Sequence, residues 1–386
     1  MTLQNNLSQH LLKRPLELST LKQKGSKIVG YNIGDFVPEE LIYAAGAIPV
    51  CQIHGGEPDS VDAAHSVIPR HICPFARAQI GHRWLKEQPY YELVDMLIIA
   101  ISCKHLKKAA DVWNYFTDVP IHRVGLPPSN QFDHDRLYFI DSLQRMREAL
   151  EKLTGNQITE EKLRRAIALY NRMRKLLQEI NLKRQTNPGC MSSLDFIKLN
   201  HASYLLDPET MVKELQEICS RLEKAEIQAS AHKIRLFLVA PNVAYGDYNL
   251  FKSVSAAGAE ICGEQICEGV RTYTTNVEEN EDNPMEALAE KYLANREVPC
   301  AFSINSLLPR FEKIVRKAKE LKADGVLFYQ LRLCETYDIE SVYFAKHLKE
   351  HNLPMLKIES EYEISNQQQN KTRIEAFLET LERRGQ

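Results

Sequence analysis

Nine cysteines carry most of the reactive potential of this sequence: Cys51, Cys73, Cys103, Cys190, Cys219, Cys262, Cys267, Cys300 and Cys334. The number is odd and the chain is large, at 386 residues, so a disulfide framework is not expected. The thiols are then buried apolar groups, ligands for a metal or cluster, or a nucleophile. No CxxC pair occurs, which argues against the common zinc patterns, and the close-spaced run of a bacterial ferredoxin is missing. Scattered thiolates that converge in space would suit a soft iron–sulfur centre. A cysteine nucleophile would draw on one of 12 histidines, but no local Cys–His signature marks it.

The elements that must position these thiols follow from hydrophobic patterning. KIVGYNIG (27–34), AIPVCQI (47–53), VDMLIIAISC (94–103) and PIHRVGLP (120–127) read as strands, with VPEELIYAAG (37–46) as a helix between the first two. The nearly continuous apolar run at 94–103 is expected of a parallel strand covered on both faces. Residues 135–182 change to long amphipathic helices, followed by two more helices. Alternation then resumes with strands at 233–241, 259–266, 324–331 and 354–360. The expected organisation is a lead-in helix plus a first α/β domain over 1–134, a helical connector over 135–230, and a second α/β domain over 231–386.

In open parallel sheets, ligands bind beyond the carboxyl ends of the strands. Cys103 directly follows LIIAIS, Cys334 follows GVLFYQLRL, and Cys267 follows AEICGEQI. Cys73, in RHICPFARA, falls in a loop or at a helix start, and Cys300, in EVPCAFS, falls between two helices. Recurrence at strand ends favours ligands over core thiols. Lys104, His105, Lys107 and Lys108 after Cys103 would offset cluster charge, grip an anion, or simply form a solvated face. Glu39 and Glu40 read more simply as helix-dipole partners than as acid–base groups.

Other classes are excluded. There is no GxGxxG and no phosphate-cradling Gly-Lys loop, so the chain is not expected to bind a dinucleotide or hydrolyse ATP. A net charge of −2 gives no reason to expect nucleic acid or an anionic membrane as partner. No apolar run approaches a membrane span, and the opening MTLQNNLSQHLLKRP lacks a secretory core, so a cytoplasmic protein is expected.

The runs KIVGYNIGDFVPEELIYAAGAIPV, HICPFARA, LIIAISCKHLKKAADVW and VLFYQLRLCETYDIES, in that order, resemble the 2-hydroxyacyl-CoA dehydratase superfamily. Its members include dehydratase small subunits, benzoyl-CoA reductase subunits and double-cubane cluster proteins. The resemblance spans nearly the whole chain. It implies two flavodoxin-like parallel-sheet domains with a helical region and an iron–sulfur cluster between them. It also implies cubane thiolates at Cys73, Cys103 and Cys334, and electrons from a separate ATP-hydrolysing iron–sulfur activator. HICPFARA, SCKHLKK and LCETYDIES resemble the double-cubane branch more than the dehydratase branch, and dehydratases tend to have Cys-Asp-Pro in place of the last. That branch has three further thiolates, two of which Cys267 and Cys300 match. Its closely paired cysteine is missing, because Ala301 and Phe302 follow Cys300. The sixth position then falls to Cys262, with Cys51 next.

The implied protein is a homodimeric, cytoplasmic iron–sulfur reductase holding a double-cubane [8Fe-9S] cluster. The alternative is the small subunit of a heterodimeric 2-hydroxyacyl-CoA dehydratase or benzoyl-CoA reductase, with one [4Fe-4S] cluster and a larger related partner. A non-catalytic electron-transfer protein is the third reading.

Overall fold

The structure is a computed structural model that describes residues 4–32, 36–224, 234–266, 273–294 and 304–385. Helix α1 (Gln4–Gln23) leads into the first α/β unit. That unit runs β1 (Ile28–Asn32), α2 (Glu39–Ala44), β2 (Ile48–Gln52), α3 (Pro58–Ala63), α4 (Pro74–Leu85), α5 (Pro89–Glu92), β3 (Met96–Ala100), α6 (Lys104–Phe116) and β4 (Ile121–Val124). Four helices follow: α7 (Asp133–Thr154), α8 (Glu160–Thr186), α9 (Ser193–Leu205) and α10 (Pro208–Glu223). The second unit runs β5 (Arg235–Val239), α11 (Asn249–Ala256), β6 (Glu260–Gln265), α12 (Pro284–Ala289), α13 (Ile304–Glu320), β7 (Gly325–Leu331), α14 (Glu335–His347), β8 (Met355–Ser360) and α15 (Ile364–Gly385).

Both sheets are parallel and four-stranded, with orders β2-β1-β3-β4 and β6-β5-β7-β8. Each order reverses beside its first strand, so each domain has its topological switch point between strands one and three. Val29 lies opposite Met96 in the first sheet, and Leu236 lies opposite Gly325 in the second. Every residue of β1, β3 and β7 is buried. Their largely apolar character, unbroken in β3, is therefore a consequence of helices on both faces. The expected α/β class with two flavodoxin-like sheets holds.

The long helices carry ordinary end signals. The Thr159 hydroxyl accepts the Lys162 N–H at 3.3 Å, two glutamates occupy the first turn of α8, and Lys183 and Arg184 occupy its last. Among the described residues, no helix is long and apolar enough to cross a membrane.

The two sheets share one core, in which Val29 and Ile98 belong with Leu238 and Leu327. A short backbone seam joins them beyond β2 and β5. Gly55 N–H donates to Tyr245 O at 3.1 Å, and Tyr245 N–H donates to Ile53 O at 2.9 Å. The glycine positions here have no room for a side chain. Gly246 has a φ of +111°, and a Cβ on it would lie 2.5 Å from Gly55 O.

Candidate iron–sulfur site

The sheet topology puts Cys103 and Cys334 at equivalent places. Each lies three residues past the last residue of its sheet's third strand, Ala100 or Leu331, and each is the N-cap of the next helix. The Cys103 sulfur accepts the Leu106 N–H at 3.4 Å. The chain reaches Cys334 through Leu333, which holds a φ of 65°. A leucine in the left-handed region stores about 1–3 kcal/mol of strain, a cost that clusters at functional positions. Cys334 packs against the cores of both the shared interior and the outer face of the second sheet.

Cys73 is the N-cap of α4, with Pro74 at the first helical position. Its N–H donates to His105 Nδ1 at 3.2 Å, which ties the start of α4 to the first turn of α6. Burial pushes the Cys73 thiol up to about 12, the Ala76 and Phe75 N–H groups pull it back, and neighbouring Cys103 adds to the rise. Cys103, the exposed member, is also raised by desolvation, opposed by the Leu106 and His105 N–H groups, with Glu335 raising it and Lys104 lowering it. The Lys104–Glu335 ion pair connects the first residues of α6 and α14 across the domains. Glu361 adds a second bridge, pairing with Arg332 and lying 3.8 Å from Arg77.

Three helix N-termini thus lie at one mouth between the sheets, each with a cysteine at its N-cap position, although only the Cys103 sulfur accepts a capping hydrogen bond. The helix ends and nearby N–H groups oppose the burial that raises the Cys73 and Cys103 thiols, and would favour a polyanionic ligand. Among the described residues, no group of three or more His, Cys, Asp or Glu side chains is placed to hold a metal ion, so Cys73, Cys103 and Cys334 share this region without forming a closed ligand set.

Residues 36–381 match the family described as 2-hydroxyglutaryl-CoA dehydratase, D-component. The chain belongs to this D-component family. Its relatives include the Escherichia coli protein YjiM, whose name proposes a dehydratase subunit, at 28% identity over 95% of this chain and 94% of that one. The (R)-phenyllactyl-CoA dehydratase beta subunit of Clostridium sporogenes is 25% identical over 94% and 93%. A benzoyl-CoA reductase subunit of Thauera aromatica is 24% identical over 86% and 84%.

Cys262, Cys51 and Cys219 of this D-component chain sit elsewhere. Cys262 lies within β6, where its thiol donates to Leu236 O at 3.4 Å and burial pushes it up to about 12. It faces a cavity of about 300 Å³ shared with Arg184 and Arg235. Leu236 and Arg235 begin β5, so Cys262 is near the amino end of the sheet and is not brought to Cys334. Cys51 is buried in β2 opposite Tyr31, and Cys219 is buried in α10. Cys267 and Cys300 lie outside the described residues.

The adjacent carboxylates at the start of α2 are more than helix-dipole partners. Both are buried. Glu40 pairs with buried Arg174 from α8 and accepts the Tyr292 hydroxyl at 2.9 Å. Burial alone would raise Glu40, but Arg174 and Lys291 outweigh it and hold the carboxyl below its usual range. Glu39 accepts a hydrogen bond from the Tyr31 hydroxyl. Burial lifts it to about 7, against the pull of that hydrogen bond, with Glu40 adding to the rise. A second polar nest surrounds His54, whose ring stacks on Tyr90 at 5.2 Å and meets His82 at 5.9 Å. Burial lowers His54 to about 3 and His82 to about 4, so both imidazoles are neutral.

Proposed function

We propose that Cys73, Cys103 and Cys334 hold an iron–sulfur cluster at the mouth between the two sheets, and that the chain is a redox-active subunit of the 2-hydroxyacyl-CoA dehydratase type. The observation that carries this reading is the repeated placement of Cys103 and Cys334 beyond the third strand of each sheet, with Cys73 beside Cys103. The donor set fits the group: soft sulfurs, N–H groups on two of them, and three helix N-termini. A bound cluster would supply one-electron chemistry at low potential. The chain's own part is to offer the thiolates, offset their charge with N–H groups, and shelter Cys73 from water.

The finer reading is a double-cubane cluster with Cys267 and Cys300 as further thiolates. Cys300 precedes β7 by nearly the same stretch as Cys73 precedes β3, and Cys267 follows the end of β6. Cys300 is thus the second-half counterpart of Cys73 in spacing, and Cys267 is a strand-end cysteine like Cys103 and Cys334. Cys262 enters only as the substitute for the paired cysteine missing after Cys300, and its place near the amino end of β6 gives it no support. Electrons would come from a separate ATP-hydrolysing iron–sulfur activator, in keeping with the lack of a nucleotide loop. The double-cubane reading carries a homodimer with it. A second reading, a subunit paired with a larger related chain around a single cubane, is favoured by relatives that are themselves named as subunits.

Iron and sulfide content after strictly anaerobic purification tests these readings. About eight irons per chain supports the double cubane, about four supports the single one, and none overturns the assignment. Cys267→Ser adds the finer test: a loss of iron comparable to that in Cys103→Ser supports second-half ligation, and full loading refutes it.

A further inference from the structure

We propose that the cleft between α1, α9, α10 and the loop after β5 binds a small carboxylate with an apolar tail. The cleft measures about 220 Å³. That is below the ~300–1,000 Å³ that takes a drug-sized ligand, and it suits an acid of roughly six to ten heavy atoms. Its wall is apolar: Leu7 and Leu11 from α1, Leu199 from α9 and Ile218 from α10. Its floor is Tyr245 and Tyr248. The site shares no residue with the cysteine mouth and does not depend on the cluster assignment.

Charge selects the ligand class. Lys198 lies at the cleft with its ammonium 5.6 Å from the Tyr248 ring centroid. Among the described residues, no carboxylate comes within ion-pair distance of it. Asp195, the one acid on the lining, is engaged by Ser192, whose hydroxyl donates to Asp195 Oδ2 at 2.7 Å and accepts the Asp195 N–H at 3.0 Å. An unpaired ammonium at the edge of an apolar cleft offers a carboxylate a charge-assisted hydrogen bond while the tail is buried. A neutral apolar ligand would leave that cation without a role.

The floor is built rather than fluid. The Tyr248 hydroxyl bonds to His201 Nδ1 at 2.8 Å, and His201 Nε2 bonds to Val243 O at 2.8 Å. Tyr245 is the residue whose backbone pairs with Ile53 and Gly55 in the seam between the sheets. A ligand on these rings meets a preformed surface and loses little affinity to ordering it.

The test is calorimetric titration of the full-length protein with hexanoate, hexan-1-ol and dodecanoate. Hexanoate is expected to bind with one site per chain, at least tenfold more tightly than hexan-1-ol. Lys198→Met should weaken hexanoate about tenfold and leave hexan-1-ol unchanged. Leu11→Trp, at a half-buried wall position, should fill the cleft and abolish binding of both, with the thermal unfolding midpoint showing that each variant is folded. Equal binding of acid and alcohol, or Lys198→Met binding hexanoate like the parent, would overturn the proposal. Dodecanoate binding more tightly than hexanoate would overturn the size assignment in favour of a lipid-derived acid.

Discussion

Replacing Arg174 by methionine keeps an unbranched, flexible stem and deletes the guanidinium and its charge. Arg174 and Glu40 are almost fully enclosed, with 3% and 0% of their side chains exposed. The guanidinium also donates to Asn171 Oδ1 at 2.7 Å and reaches the Tyr292 hydroxyl at 3.2 Å. Deleting one partner of such a pair leaves the other charge buried and uncompensated, at a cost of about 3–5 kcal/mol. An unfolding entropy of about 2.1 cal/mol/K per residue gives roughly 0.8 kcal/mol/K for a chain of this length. The expected loss is then about 4–6 °C in the midpoint of thermal unfolding, read by circular dichroism. The pH dependence identifies the cause. In the parent, Glu40 has a folded pKa below its unfolded one, so its contribution is present at neutral pH and is lost as pH falls through the folded value. In Arg174→Met, burial without the guanidinium raises the Glu40 pKa, so the penalty grows as pH rises above the unfolded value. The deficit should be small near pH 4 and full by pH 7. Adding Glu40→Leu should recover at least half of it. A midpoint shift under about 1 °C, or a deficit that does not change with pH, would refute the argument.

Glu39→Gln tests the other carboxylate. Its raised pKa means that stability present in acid is lost as pH rises toward about 7. The variant should therefore match the parent near pH 4 and exceed it by about 1–3 kcal/mol at pH 8, measured by urea unfolding. Cys73→Ser, Cys103→Ser and Cys334→Ser should each remove most of the iron–sulfur absorbance of anaerobically purified protein, because a hard alkoxide replaces a soft thiolate. Cys219→Ser should keep the absorbance and lose only about 1–3 kcal/mol for burying a hydroxyl. Gly246→Ala forces a Cβ to 2.5 Å from Gly55 O at a φ of +111° and should cost about 1–3 kcal/mol. Faster hydrogen exchange at Gly55 and Tyr245 would locate that loss in the seam.

The cysteine mouth was legible because its signals are local. A largely apolar strand with a thiol three residues past its end marks Cys103 and Cys334, and Pro74 after Cys73 marks a helix start. The Glu40 network was not legible, because its members come from positions 40, 174 and 292 and no spacing rule connects them. One clue was present. Arg174 falls four residues after Tyr170, on the same stripe as Leu163, Ile167 and Leu177, which are all buried. A charge on the apolar stripe of an amphipathic helix demands a buried partner. Nothing in the sequence names Glu40 as that partner, so the two glutamates read as helix-dipole residues. The cleft over Tyr248 was equally hidden, since it forms only when α1 and α10 pack against the loop after β5.

What sets the distance between Cys103 and Cys334 is a separate question from what lies between them. The ion pairs at the mouth are poor candidates: Lys104 and Glu335 are 65% and 58% exposed, and such pairs contribute about 0–1 kcal/mol. The shared core and the backbone seam are buried and directional. They fix the carboxyl ends of β2 and β5, and with them the sheets whose third strands end at the two cysteines. The positioning of the thiols therefore resides in apolar packing and in glycines far from the sulfurs along the chain. Charge removal at Lys104 leaves that scaffold intact. A methyl group on Gly246 does not.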